Sequence, residues 1–237
     1  MPIEQLVEGH RHFVETFAKA ESEYLRQLAE EGQSPDTLII SCSDSRVIPE
    51  LITGAAPGHL FVVRNVANIV PPLAARNMTV GSAIEYALTA LEVKHLVVLG
   101  HYKCGGMAAL RSLFGPGSLS EKGPLPDTPL YTWLQYARPS FDEAVQKGAL
   151  DTERWLETLV EENVLQQLMH VLDYPHVRER AESGRLTLHG WTYSLDKALL
   201  YFFDAASSRF VPSDREPDNS SAGALTVSEV EREDNVP

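Results

Sequence analysis

Thr37-Leu38-Ile39-Ile40-Ser41-Cys42-Ser43-Asp44-Ser45-Arg46 runs from a short apolar stretch directly into a thiol, a carboxylate and a guanidinium. The apolar part is fit for a buried strand. Two more such runs follow, Leu60-Phe61-Val62-Val63 and His95-Leu96-Val97-Val98-Leu99. Between them Val80, Ala83, Ile84, Ala87, Leu88 and Leu91 recur at the spacing of one helix face, an amphipathic helix with a continuous apolar stripe. Strands alternating with helices predict an α/β fold, a central and mostly parallel sheet flanked by helices.

Outward from this centre, residues 3–29 carry Phe13, Phe17, Tyr24 and Leu28 among many charges, which predicts one long or broken helix needing a surface to cover. A helix is expected after Cys104, through Leu110. A Gly/Pro/Ser-rich loop follows over 114–129, then helices over 130–146 and 152–172, the second packing Trp155, Leu159, Leu168 and Leu172. Segments 186–193 and 198–203 read as strands, an edge hairpin turning near Leu195-Asp196-Lys197. From Ser213 the chain turns acidic and contributes −5 of the net −13. This divides it into a main domain, 1–212, and an acidic tail, 213–237, read as mostly disordered, with a docking peptide over 225–230 as the other reading.

A chain of 237 residues with 43% hydrophobic content builds a substantial core unaided. No apolar run approaches the about 20 residues of a membrane span, so no membrane partner is expected. The net charge of −13, with no basic stripe, argues against nucleic acid. The opening Met1-Pro-Ile-Glu-Gln-Leu-Val-Glu-Gly-His-Arg-His-Phe13 has no apolar core like that of a signal peptide, and the expected setting is cytoplasmic.

Chemistry concentrates in two places. If the backbone stays extended past Ile40, Cys42, Asp44 and Arg46 share one face. His101-Tyr102-Lys103-Cys104-Gly105-Gly106 follows the third apolar run, and a spacing of three brings His101 and Cys104 together on one helical turn. Both clusters end predicted parallel strands, where α/β sheets place ligand sites. Two thiolates and an imidazole suit Zn²⁺ and leave a fourth position open. A helix beginning at Cys104 would favour its thiolate, and Gly105 and Gly106 would let the backbone approach the metal. Blander readings stand beside this one: inert buried cysteines, a Cys42–Cys104 disulfide, and an Asp44–Arg46 ion pair that merely closes a loop. Cys42 and Cys104 are the only cysteines in the chain, and each falls in one of the clusters.

The motifs Cys42-Ser-Asp-Ser-Arg46, Pro57-Gly58-His-Leu-Phe-Val-Val-Arg64-Asn65-Val-Ala-Asn68, Gly100-His101-Tyr-Lys-Cys104-Gly-Gly106, Glu162-Asn163-Val164 and His189-Gly190-Trp191 resemble those of the β-class carbonic anhydrases over about residues 1–212. The resemblance implies reversible hydration of carbon dioxide to bicarbonate and a proton, by attack of zinc-held hydroxide. It implies one Zn²⁺ per chain on Cys42, His101 and Cys104. Asp44 either takes the fourth position or pairs with Arg46 and leaves that position to water, and Asp44 and Arg46 are the catalytic pair. It also implies a homodimer or higher homo-oligomer in which the N-terminal helix packs on a neighbouring subunit.

This sequence departs from some members in two places. Ala56 stands where they carry a glutamine before Pro-Gly. Ile39 stands where others place the tryptophan of an inhibitory bicarbonate site, so that switch is not expected despite Arg64. Tyr102 and surface histidines are candidates for the proton exit. Hydrolysis of carbon disulfide or carbonyl sulfide on the same ligands is the alternative activity, and a structural zinc in a scaffold a third reading. Zn²⁺ with two thiolates and neutral imidazole sums to zero charge, so its water should titrate above the ~7 of a three-histidine site. Hydration is therefore expected to rise from pH 6 to pH 9 in stopped-flow assays; a flat profile would remove the charge argument.

Overall fold

The N-terminal stripe folds as two helices, Ile3–Phe13 (α1) and Ser22–Glu31 (α2), with a π-helical turn at Val14–Ala18 between them. Neither helix has a buried residue, and Ile3, Leu6, Val7, Phe13, Val14 and Phe17 stand exposed. α2 meets the body where the Tyr24 hydroxyl donates to the Pro57 carbonyl at 2.6 Å. The protein is seen here as a single chain in a computed structural model, which describes residues 1–125, 127–214 and 223–231.

The body alternates as the periodicity predicts: Thr37–Cys42 (β1), Pro49–Thr53 (α3), Leu60–Asn65 (β2), Met78–Thr89 (α4), His95–His101 (β3) and Gly105–Phe114 (α5). The loop after α5 holds a short helix, Leu119–Lys122 (α6). The segment expected as one helix over 130–146 is two, Pro129–Leu134 (α7) and Arg138–Gln146 (α8), with a 3₁₀ turn between. Pro139 is the cause, since proline lacks the N–H that an uninterrupted helix needs. Trp155–Leu172 (α9) follows. Pro175–Glu182 (α10) was not expected, although its proline at the first turn is a helix-start signal.

Thr187–Ser194 (β4), Leu199–Asp204 (β5) and Arg209–Pro212 (β6) complete the sheet in the order β2-β1-β3-β4-β5-β6. The first four strands are mutually parallel and the last two antiparallel. The predicted hairpin is thus internal, because β4 pairs with β3 and β6 forms the edge. Within the segment 213–237, Ala224–Leu225 (β7) pairs with β4, Val227–Glu231 (α11) follows, and Leu225 and Val230 are buried. The rest of the tail from Arg215, residues 215–222 and 232–237, lies outside the described residues.

Strand alternation sends Leu38, Ile40, Leu96, Val98 and Leu188 to one side, where Ile84 and Leu88 of α4 and Val164, Leu168 and Val171 of α9 cover them. Ile39, Val97 and Leu99 face the other side with Val47. α9 approaches β3 closely only because position 100 is glycine. A Cβ there would lie 2.7 Å from Val164 Cγ2 and 3.2 Å from Val160 Cγ1. Gly100→Ala is expected to cost about 1–3 kcal/mol through overpacking. Thermal unfolding at fixed chain and metal concentration checks this, and an unchanged midpoint would mean that α9 yields freely.

Candidate metal centre

β1 and β3 are parallel neighbours in register, Thr37 opposite His95 and Ser41 opposite Leu99. Their carboxyl ends therefore deliver Cys42 and His101 to the same edge of the sheet. Cys104 follows three residues later as the N-cap of α5. The donor atoms of Cys42, His101 and Cys104 lie within 4.8 Å of one another, and all three side chains are buried. Among the described residues it is the one such grouping of metal-capable side chains. The thiols are free, with sulfurs 4.0 Å apart, so Cys42 and Cys104 form no disulfide.

Two local geometries differ from the sequence reading. The extended face does not continue to Arg46: β1 ends at Cys42 and the chain turns, the Val47 N–H donating to the Asp44 carbonyl at 3.0 Å. His101 and Cys104 do not share a helical turn either. His101 ends β3, and Lys103, at φ +62°, swings the chain into α5. A Cβ on Gly105 would meet no protein atom within 4 Å, whereas one on Gly106 would sit 2.9 Å from the Ala67 Cβ. The glycine at 106 thus serves the packing of α5 on the Val66–Ala67 segment.

Asp44 is turned onto Arg46. Arg46 Nε donates to Oδ1 at 2.9 Å and Nη2 to Oδ2 at 2.7 Å, and the Arg46 N–H donates to Oδ1 at 3.0 Å. This fork of charge-assisted bonds holds the Asp44 carboxyl well below the usual carboxylate range. Oδ2 still comes within 3.8 Å of His101 Nε2. That nitrogen is buried and has no hydrogen-bond partner, while Nδ1 engages the Tyr102 carbonyl at 3.1 Å. A buried acceptor left open between two sulfurs is costly unless something binds it, and a borderline-soft cation fits that donor set.

The thiols are not equivalent. Hydrogen bonding from Cys104 chiefly holds the Cys42 thiol down, and the N–H groups of Asp44 and Ala67 add to it. Cys104, bonded to that sulfur and buried, is pushed up, although the N–H groups of Gly106 and Met107 at the start of α5 oppose the shift.

Several supports were not legible as such. Arg64 donates to the carbonyls of Cys42 at 3.2 Å, Asp44 at 2.9 Å and Val47 at 2.7 Å, stapling the turn that carries Asp44. Ala67, at φ +66°, points its N–H at Cys42 Sγ over 3.3 Å. Asn163 on α9 holds the Ala67 carbonyl at 3.1 Å, and Gln167, bonded to Asn163, accepts from the Val70 N–H at 2.8 Å. Tyr102 faces away from a relay role: its hydroxyl donates to Glu161 at 2.7 Å, and burial pushes its phenol up.

Comparison with known proteins agrees with this geometry. A family model described as carbonic anhydrase matches residues 37–200. A carbonic anhydrase of Synechocystis is 40% identical over 88% of this chain and 74% of that protein. One from Pseudomonas aeruginosa is 36% identical over 92% of this chain and 95% of that protein. Among solved structures, the β-carbonic anhydrase CcaA superposes with a TM-score of 0.80 at 34% identity, covering 93% of this chain and 94% of that one. A tetrameric β-carbonic anhydrase of Sordaria macrospora gives 0.73 at 29% identity, covering 84% and 95%. With its parallel sheet, its Cys-His-Cys cluster and these relatives together, the chain belongs to the β-carbonic anhydrases.

Proposed function

We propose that Cys42, His101 and Cys104 hold one zinc ion per chain and that carbon dioxide is reversibly hydrated to bicarbonate and a proton beside it, with Asp44 and Arg46 as the catalytic pair. The observation that carries this reading is the unpartnered, buried His101 Nε2 between two free thiols, with the Asp44 carboxylate drawn aside to Arg46. Zinc bound there would supply a water made more acidic by the metal. With Asp44 held by Arg46, the carboxylate would leave the fourth position to water, and a remaining lone pair on Asp44 Oδ2 would accept a hydrogen bond from that water and aim its oxygen at carbon dioxide. Because the Asp44 carboxyl is depressed, it stays ionised throughout the neutral range. The alkaline rise in activity expected above is therefore not its titration. The sulfur-substrate alternative finds no support among the relatives named here.

The test is stopped-flow carbon dioxide hydration with zinc quantified on the same sample. About one zinc per chain with hydration supports the reading; full zinc without hydration overturns it.

The thiol pair gives a further expectation. Two buried sulfurs 4.0 Å apart resist carrying two negative charges without a metal between them, so zinc uptake at neutral pH should release at least about one proton per chain. Calorimetry in buffers of different ionisation enthalpy measures this, and no release would mean both thiols were already ionised.

The proposal extends to assembly and setting. Six large apolar side chains exposed on or just after α1 support a homodimer or larger homo-oligomer in which this arm packs on a neighbouring subunit. Light scattering of the full chain decides it, a monomer being the contrary result. No helix among the described residues is long and apolar enough to cross a membrane. Two unbridged thiols 4.0 Å apart suit a reducing, cytoplasmic compartment.

A further inference from the structure

We infer that Glu161 is a positioning residue for the metal centre: through the Tyr102 hydroxyl it fixes the peptide whose carbonyl orients the His101 imidazole. The inference rests on the ligand set proposed above and adds a residue that never touches the metal.

The chain of contacts is short. His101 Nδ1 lies 3.1 Å from the Tyr102 carbonyl, an acceptor only, so this nitrogen donates and leaves the Nε2 lone pair facing the two sulfurs. The direction of that lone pair is as good as the position of the Tyr102 peptide. The peptide is tied on one side where the Tyr102 N–H donates to the Tyr193 carbonyl at 2.9 Å. On the other side the next residue, Lys103, sits at φ +62°, a conformation unfavourable for a side-chain-bearing residue that must be held in place.

The Tyr102 side chain supplies the remaining hold. It is 7% exposed. Its hydroxyl donates to Glu161 Oε1 at 2.7 Å and accepts from Thr192 Oγ1 at 3.2 Å. Thr192 belongs to β4 and Glu161 to α9, so two elements fix one ring. α9 reaches this point through its close approach at Gly100, two residues before Tyr102.

Fold stability alone does not call for this arrangement. A phenylalanine against an apolar residue would fill the same space without desolvating a carboxylate. A carboxylate accepting from a hydroxyl that is itself accepting gives a directional chain instead. Outer partners of this kind are what hold metal-bound histidines in one orientation.

The test compares Tyr102→Phe, Glu161→Ala, Glu161→Gln and the double variant Tyr102→Phe/Glu161→Ala. The readouts are zinc affinity by chelator competition, the visible absorption of the cobalt(II)-substituted protein, and thermal unfolding of the metal-free chain. Tyr102→Phe and Glu161→Ala should each weaken zinc binding by about 10–100-fold and alter the cobalt bands. Glu161→Gln, which keeps an acceptor for the hydroxyl, should recover most of the loss. The double variant should be no worse than the worse single one, since both break the same chain. If Glu161→Ala does not fold, Tyr102→Phe, which removes one oxygen, decides alone. Unchanged zinc affinity and unchanged cobalt bands in Tyr102→Phe, whatever happens to its melting temperature, would overturn the inference. A wild type that takes up neither metal would overturn the ligand set and this inference with it; a loaded wild type with unaltered variants overturns the inference alone.

Discussion

Cys104→Ser should lose zinc and hydration together while keeping its fold. Cys104 is 1% exposed and presents its sulfur 4.0 Å from that of Cys42. A serine hydroxyl is a harder donor and does not ionise near neutral pH, so the site would offer one thiolate and one imidazole. Structural zinc sites bind with about 10–16 kcal/mol across their ligands, so one ligand's share corresponds to an affinity loss of at least about 10²-fold. Hydration at limiting zinc should fall with it. The fold should survive because Cys104 is the N-cap of α5 and makes no side-chain cap bond there, and serine is among the preferred N-cap residues. Thermal unfolding of the metal-free variant should therefore match or exceed that of the metal-free wild type. Metal content by emission spectrometry and stopped-flow hydration on the same sample check the rest. Stoichiometric zinc and full turnover in Cys104→Ser would remove Cys104 from the ligand set.

The parts of this molecule that could be read from residues are those whose signal is local. Leu38–Ile40, Phe61–Val63 and Leu96–Leu99 announce parallel strands because strands covered on both faces are apolar without interruption. The stripe Val80–Ile84–Ala87–Leu88 announces α4 because the same four side chains are the buried ones. What stayed hidden depends on tertiary pairing or on single backbone angles. Nothing in Tyr-Lys-Cys says that Lys103 adopts φ +62°, so the His101–Cys104 spacing invited a helical turn. The Asp44–Arg46 pair was legible, but the turn that forms it is set by Arg64, which reaches three carbonyls from the neighbouring strand. Asn163 lies in a motif that sequence can recognise, yet its role, shared with Gln167, of clamping the Ala67–Val70 loop appears only once α9 is laid against it. In the tail, Leu225 and Val230 stand out as apolar among acids, but nothing periodic in the sequence says which surface buries them.

Asp44→Asn should keep its zinc and lose most of its hydration. The three proposed ligands are untouched, so metal content should stay near that of the wild type. The change falls on the fork, where both Asp44 oxygens accept from Arg46, at 2.9 Å to Nε and 2.7 Å to Nη2. An asparagine offers one oxygen and one NH₂. With the NH₂ toward Arg46, two donors face each other and the pair opens. With the oxygen toward Arg46, the donor points to the side where Oδ2 lies 3.8 Å from His101 Nε2, and the acceptor that should aim the attacking oxygen is gone. Removing one such positioned group costs on the order of 10²–10³ in turnover. Arg46→Ala separates the two halves of the argument. It leaves the carboxylate intact but unheld, free to move the short distance to the fourth position. Zinc affinity should then rise, since a further anionic ligand is gained, while hydration falls because the place of the water is taken. A fall in turnover with looser zinc in Arg46→Ala, or full turnover with full zinc in Asp44→Asn, would reduce the pair to a loop closure and leave the orientation of the attacking water to other groups.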